Sequence, residues 1–175
     1  MWPAAAFEAL FFDYYPRIVA AVQRVLGDRA QAEEIASDAF LKLYRQPPAA
    51  QPDQNPGGWL YRTATRMGID ALRAASRRRQ HDPEAGERLA QASAAAGPLE
   101  SALRAERVRN VRAALAALRP AQARILALRA SGLSYKELAE ALGVRTGSVG
   151  QLLARAEAAF EKAYRRMGGE PYVHP

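Results

Sequence analysis

Arg62, Arg66, Arg73 and Arg77 follow Trp59 at spacings of i, i+4, i+11 and i+15 from the first of them. On a helix turning about 100° per residue, they share one narrow face with Trp59, Thr63 and Asp70, while Leu60, Tyr61, Ala64, Gly68, Ala71, Leu72 and Ala75 fall on the other. A row of guanidinium groups neutralises successive phosphates, and an indole offers a stacking surface to an unpaired base. The chemistry of the stripe is therefore that of nucleic-acid binding. Only Asp70 supplies an acidic partner within this helix, and Arg77, Arg78 and Arg79 extend the basic run.

A second constellation lies between Ser131 and Val149, which reads as two helices joined by a glycine turn. Ser134 with Glu137 three residues later forms a capping box, and Tyr135, Leu138, Ala139 and Leu142 supply an apolar face. Gly143 suits a left-handed helix end. The next helix should run from Thr146 to Arg166, with Val149, Leu152, Leu153, Ala156 and Phe160 inward and Gln151, Ala154, Arg155 and Ala158 outward. This is a helix-turn-helix, whose second helix enters the major groove of DNA. Gln151 can read adenine bidentately and Arg155 can take guanine or a phosphate.

The elements that must position these residues are all helical, and the pattern predicts an all-α fold of two small domains. Helices are expected over Ala4–Leu26, with Pro16 as a kink or break and Gly27 as the stop; from Asp28, as cap, to Arg45; and over Gly58–Arg79. The Pro-rich run Gln46–Gly57 reads as an exposed loop, and residues 81–98 lose periodicity as a flexible linker would. Further helices are expected over Leu99–Leu118 and Pro120–Ala130, ahead of the helix-turn-helix. The resulting division is a first domain at 1–80, a linker at 81–98, a second domain at 99–167 and a tail at 168–175.

Charge follows the same division. The 175 residues carry 25 Lys and Arg against 18 Asp and Glu, a formal net charge of +7. Eleven of these bases stand against eight acids up to Gln80, one against four from His81 to Glu100, and thirteen against six thereafter. Basic domains joined by an acidic segment point to a polyanionic partner. With no cysteine, disulfides and thiolate metal sites are excluded. The two histidines, His81 and His174, fall in the linker and the tail, and no phosphate-binding loop, nucleophile elbow or metal-ligand spacing occurs. No enzyme, metal or cofactor chemistry is expected. No apolar run approaches a membrane span and no signal-peptide pattern opens the chain, so a cytoplasmic protein is expected.

The motifs together resemble the extracytoplasmic-function group of the sigma-70 superfamily. Trp59-Leu60-Tyr61-Arg62 with Ile69-Asp70-Ala71-Leu72-Arg73 is similar to its promoter-reading helix. Gly27-Asp28, Ala32-Glu33-Glu34-Ile35 and Phe40-Leu41-Lys42-Leu43-Tyr44 resemble its polymerase-binding helix, and Gly132-Leu133-Ser134-Tyr135 with Leu138-Ala139 and Leu142-Gly143-Val144 resembles its region 4.

The resemblance implies a factor that binds core RNA polymerase and directs initiation by recognising and melting promoter DNA. It makes residues 1–80 region 2 and 99–167 region 4. Glu34, Ser37, Asp38, Leu41 and Arg45 would meet the clamp coiled coil of the β′ subunit, Ser37-Asp38 standing where the group usually has Gln-Glu. Trp59, Arg62, Thr63, Arg66, Arg73 and Arg77 would read the minus-ten region, Arg66 replacing a common asparagine. Asp53, Gln54 and Asn55 are the candidates for holding a flipped base. Arg145, Thr146, Ser148, Gln151 and Arg155 would face the minus-thirty-five element, with Gly150, Leu152 and Glu157 at usually basic positions. Region 4 would also bind the β flap, and the group admits an anti-sigma factor as a further partner. The alternative is a stand-alone helix-turn-helix regulator that occupies a duplex operator without polymerase.

Overall fold

The computed structural model of the chain describes residues 2–46, 55–81 and 98–168, excepting the side chains of 80 and 98–101. Among the described residues it is all-helical: α1 (Ala4–Leu26), α2 (Arg29–Tyr44), α3 (Pro56–His81), α4 (Pro98–Ala117), α5 (Pro120–Ala130), α6 (Tyr135–Leu142) and α7 (Thr146–Arg166). Residues 82–97, most of the expected linker, and 169–175, most of the tail, lie outside the described residues, as do Asp53 and Gln54.

The first three helices form a bundle because each carries one apolar stripe. Ile18 and Val22 of α1, Ala36 and Leu43 of α2 and Leu60 of α3 meet at zero exposure. Burying one such Leu, Ile or Val side chain contributes roughly 1.5–3 kcal/mol. An aromatic cluster extends this core toward the chain start: Phe7 meets Phe40 and Tyr44 edge-on, and Phe11 stacks on Tyr15 at 4.6 Å. α1 is one continuous helix through Pro16, not a broken one, and ends at Gly27 with φ 72°. Asp28 caps α2, its Oδ1 accepting from the Gln31 N–H at 3.1 Å.

The second half folds on α5, α6 and α7, with Leu128, Leu138 and Val149 fully buried. The two halves are packed together. Ile125 and Leu128 share one apolar cluster with Ile18 and Leu60, and Val25, Ile69 and Leu72 meet Leu115, Leu118 and Ala123 in another. Nothing in the sequence pattern announces this docking, since the pattern divides the halves into separate units.

The expected capping box on α6 is present. Ser134 Oγ accepts from the Glu137 N–H at 3.3 Å, and Glu137 Oε2 accepts from the Ser134 N–H at 2.8 Å and its hydroxyl at 2.7 Å. These bonds, with Arg17 nearby, hold the Glu137 carboxyl below its ordinary value. A carboxylate depressed by folding adds stability above its unfolded pKa, and that stability is lost as pH falls through the lower folded value. Ser134→Ala should cost about 1 kcal/mol at neutral pH, and the difference from the parent should shrink in acid below the ordinary carboxylate range. Urea unfolding of both proteins at neutral and acid pH checks this.

Candidate nucleic-acid interface

Asn55 caps α3. Its Oδ1 accepts from the Gly58 N–H at 2.6 Å, and Pro56 occupies the first helical turn, where a missing N–H costs nothing. A Cβ on Gly57 would meet the Tyr14 ring at 2.3 Å, so this position lets α1 approach closely. The Asn55 amide also donates to Glu140 Oε2 of α6 at 2.8 Å. Of the three residues expected at a flipped base, the one described is thus committed both to a cap and to a contact with the helix-turn-helix.

Along α3 the apolar positions pack as the period predicts, with Leu60, Tyr61, Ala64, Ile69 and Leu72 buried. The opposite stripe divides. Arg66 and Arg77 are exposed, and Arg66 Nε lies 3.9 Å from Asp70 Oδ2. Such an exposed i, i+4 pair is worth only about 0.3–0.5 kcal/mol, so Arg66 is readily recruited elsewhere. Trp59 is half-buried against the core. Arg62 is half-buried, its guanidinium beside Gly143, the residue that turns α6 into α7. Arg73 donates from Nε to the Ala116 carbonyl at 3.3 Å and from a terminal nitrogen to the Leu118 carbonyl. It therefore serves as a C-terminal cap for α4, where a cation also meets the negative end of the helix dipole. Thr63 is half-buried.

Arg17, which no sequence motif singles out, organises the contact between the halves. Its guanidinium lies 5.3 Å from the Tyr14 ring centre, 5.7 Å from that of Tyr61 and 3.8 Å from Glu137. Burial raises the Tyr61 pKa, against the opposing pull of Arg17, so the phenol stays neutral at physiological pH. An isolated arginine in an apolar helix carries no sequence signal for such a role, because its two rings come from different helices.

On α2 the expected outward set is exposed: Glu34, Ser37, Asp38, Leu41 and Arg45. Ser37 Oγ donates to the Glu33 carbonyl at 2.8 Å and lies 3.3 Å from the Tyr15 hydroxyl, and Glu34 and Asp38 are the exposed carboxylates of that face. On α7, Arg145, Thr146, Gln151 and Arg155 are exposed and Ser148 is half-buried. Gly150 has room for a side chain, since an added Cβ would meet Tyr135 only at 3.9 Å, an ordinary contact. Internal packing therefore does not require glycine there. Gly150→Ala should stabilise the helix by about 1 kcal/mol, a gain to be read from chemical denaturation.

Among the described residues no group of His, Cys, Asp or Glu could hold a metal, and no helix is long and apolar enough to cross a membrane.

Residues 10–78 match the family described as Sigma-70 region 2, and residues 109–160 match Sigma-70, region 4. The chain is 29% identical over 165 residues to the RNA polymerase sigma-H factor of Pseudomonas aeruginosa, covering 90% of this chain and 86% of that one. It is 30% identical over 170 residues to the ECF RNA polymerase sigma factor SigJ of Mycobacterium tuberculosis, covering 94% of this chain and 52% of that one. The chain thus spans about half the length of SigJ. Among solved structures, the sigma factor RpoE of Bartonella quintana, crystallised with the anti-sigma factor NepR, shares the fold with a TM-score of 0.51 at 18% identity, over 91% of this chain and 97% of that one. The two matched regions, in order and on the helices that carry the α3 stripe and the helix-turn-helix, make this chain a member of the extracytoplasmic-function group of the sigma-70 family, an RNA polymerase sigma factor.

Proposed function

We propose that α2 docks on the clamp coiled coil of core RNA polymerase through Glu34, Ser37, Asp38, Leu41 and Arg45, that the α3 stripe engages the minus-ten region as it melts, and that α7 reads the minus-thirty-five element through Arg145, Thr146, Ser148, Gln151 and Arg155. The reading rests on one observation above the others. The acidic face of α2 and the polar start of α7 are both open to solvent while their apolar sides are buried. Among the described residues Glu34 and Asp38 make no ion pair, which leaves that face of α2 available to another molecule. In this role the protein is a binding and strand-opening factor without catalysis of its own, and its site of action is the cytoplasm. Promoter DNA and core polymerase are its partners, with the β flap as the contact of the second half and an anti-sigma factor as a further partner.

The packed arrangement adds a condition. Arg62 lies against Gly143, and Arg73 is spent on carbonyls of the second half, so part of the stripe is occupied until the halves separate. The free protein should therefore bind promoter duplex weakly at physiological salt, and affinity should appear with core enzyme. Fluorescence anisotropy of a labelled promoter, with and without core polymerase, measures the difference. Tight binding of a duplex operator by the free protein would favour the stand-alone regulator instead. Co-purification with core polymerase followed by run-off transcription on a genomic library tests the whole reading.

A further inference from the structure

The C-terminal half of α3 and the C-terminal half of α4 face each other across an open cleft of about 530 Å3. Arg73, Arg77, Arg79, Arg109 and Arg112 line it, and among the described residues no carboxylate does. Arg73 already has its carbonyl partners. Among the described residues the other four make no hydrogen bond or ion pair. Arg112 is half-buried, its Nε is shut away from solvent without an acceptor, and its guanidinium lies against the backbone of Gly27. Burial and the neighbouring Arg79 charge both lower its pKa.

Four unpaired guanidinium groups around one space repel each other, and a buried donor without an acceptor carries its full desolvation cost. An anion entering the cleft relieves both. We propose that this cleft binds a small polyphosphate, a chain of two or more linked phosphoryl groups, through Arg77, Arg79, Arg109 and Arg112. A single carboxylate would leave most of the charge uncompensated, whereas each phosphoryl group accepts a bidentate guanidinium fork. The volume lies within the range of small-molecule sites, roughly 300–1,000 Å3, and is too small for a duplex. Ser76 and Asn110 add neutral donors, and Leu72 and Met167 supply apolar wall that a nucleoside attached to the phosphates could cover.

The ligand would touch α3 from the first half and α4 from the second, so it would stabilise the packed arrangement by mass action. It shares Arg77 with the α3 stripe, while Arg79, Arg109 and Arg112 belong to none of the proposed polymerase or promoter contacts.

The test is isothermal titration calorimetry of the full chain at physiological salt with sodium tripolyphosphate, a nucleoside triphosphate and the parent nucleoside. Binding of tripolyphosphate at one site per chain is expected. Arg79→Gln with Arg109→Gln should weaken it roughly tenfold or more, as removal of at least one charge-assisted hydrogen bond requires. Both residues are exposed, so the fold is retained, and Arg77, which the DNA stripe shares, is left intact. Arg24→Gln with Arg104→Gln removes the same charge from exposed positions outside the cleft and should leave the affinity unchanged. Tighter binding of the nucleoside triphosphate would identify a nucleotide as the ligand, and equal binding would mean that the phosphate chain alone is read. Absence of binding at millimolar ligand, many weak ions per chain, or equal weakening by the Arg24 and Arg104 pair would overturn the proposal.

Discussion

A chain carrying Glu34→Lys and Asp38→Lys is expected to lose core RNA polymerase by two orders of magnitude or more in affinity, with unchanged helicity. Both carboxylates stand on the solvent side of α2, one turn apart, while Ile35, Ala36, Ala39 and Phe40 on its other side are buried. The double change swings the face by four charge units without touching a packed atom. Placing like charges against each other at an interface costs several kcal/mol, which corresponds to at least a hundredfold in a dissociation constant. Pull-down of core enzyme, with circular dichroism as the folding control, measures it. Normal retention of polymerase would show that the docking face lies elsewhere, with the exposed Phe12 of α1, 69% accessible, as the next place to look.

Arg62→Ala with Arg66→Ala should leave polymerase retention intact and impair open-complex formation. Removing one arginine–phosphate pair should reduce the slope of log affinity against log salt by roughly 0.7 to 0.9, and removing both by about twice that. The two arginines need not contribute equally. Arg66 is exposed with only the weak pair to Asp70 to give up, whereas Arg62 must leave the second half before it can reach DNA. Gln151→Ala with Arg155→Ala should act differently, because a good bidentate base contact is worth about 1–3 kcal/mol of discrimination. Preference for the upstream element should fall while a promoter already opened as a bubble is still transcribed. Unchanged preference would make the second half a polymerase anchor without a reading role.

Most of the local structure is legible in the sequence because each signal lies within a few residues of its consequence. Ser134 and Glu137 form the capping box they spell, Asp28 caps α2, and Gly27 and Gly143 take positive φ where they stop their helices. The start of α3 lies two residues before the expected one, since Pro56-Gly57 reads as the end of the loop. Asn55-Pro56 is the better guide, an acceptor at the cap followed by a residue with no N–H to satisfy. Pro16 is a weaker breaker than its residue type suggests: α1 passes through it without interruption, its flanks carrying buried residues such as Ile18 and Val19.

By itself the sequence determined the helices, their buried faces and the family, because hydrophobic period, caps and motif order are properties of neighbours along the chain. It also placed Glu34 and Asp38, and Gln151 and Arg155, on open faces, since a single helix decides which side is left over once its apolar side is buried. The docking of the halves was decided only by tertiary structure. Arg62, Arg73 and Arg77 share a face in the helical projection, yet one meets Gly143, one caps α4 and one faces an arginine-lined cleft. Arg112 is an ordinary basic residue until Gly27, 85 positions earlier in the chain, comes to lie beneath its guanidinium. A charge owes its environment to whatever packs across from it, and no periodicity within one segment encodes its partner in another.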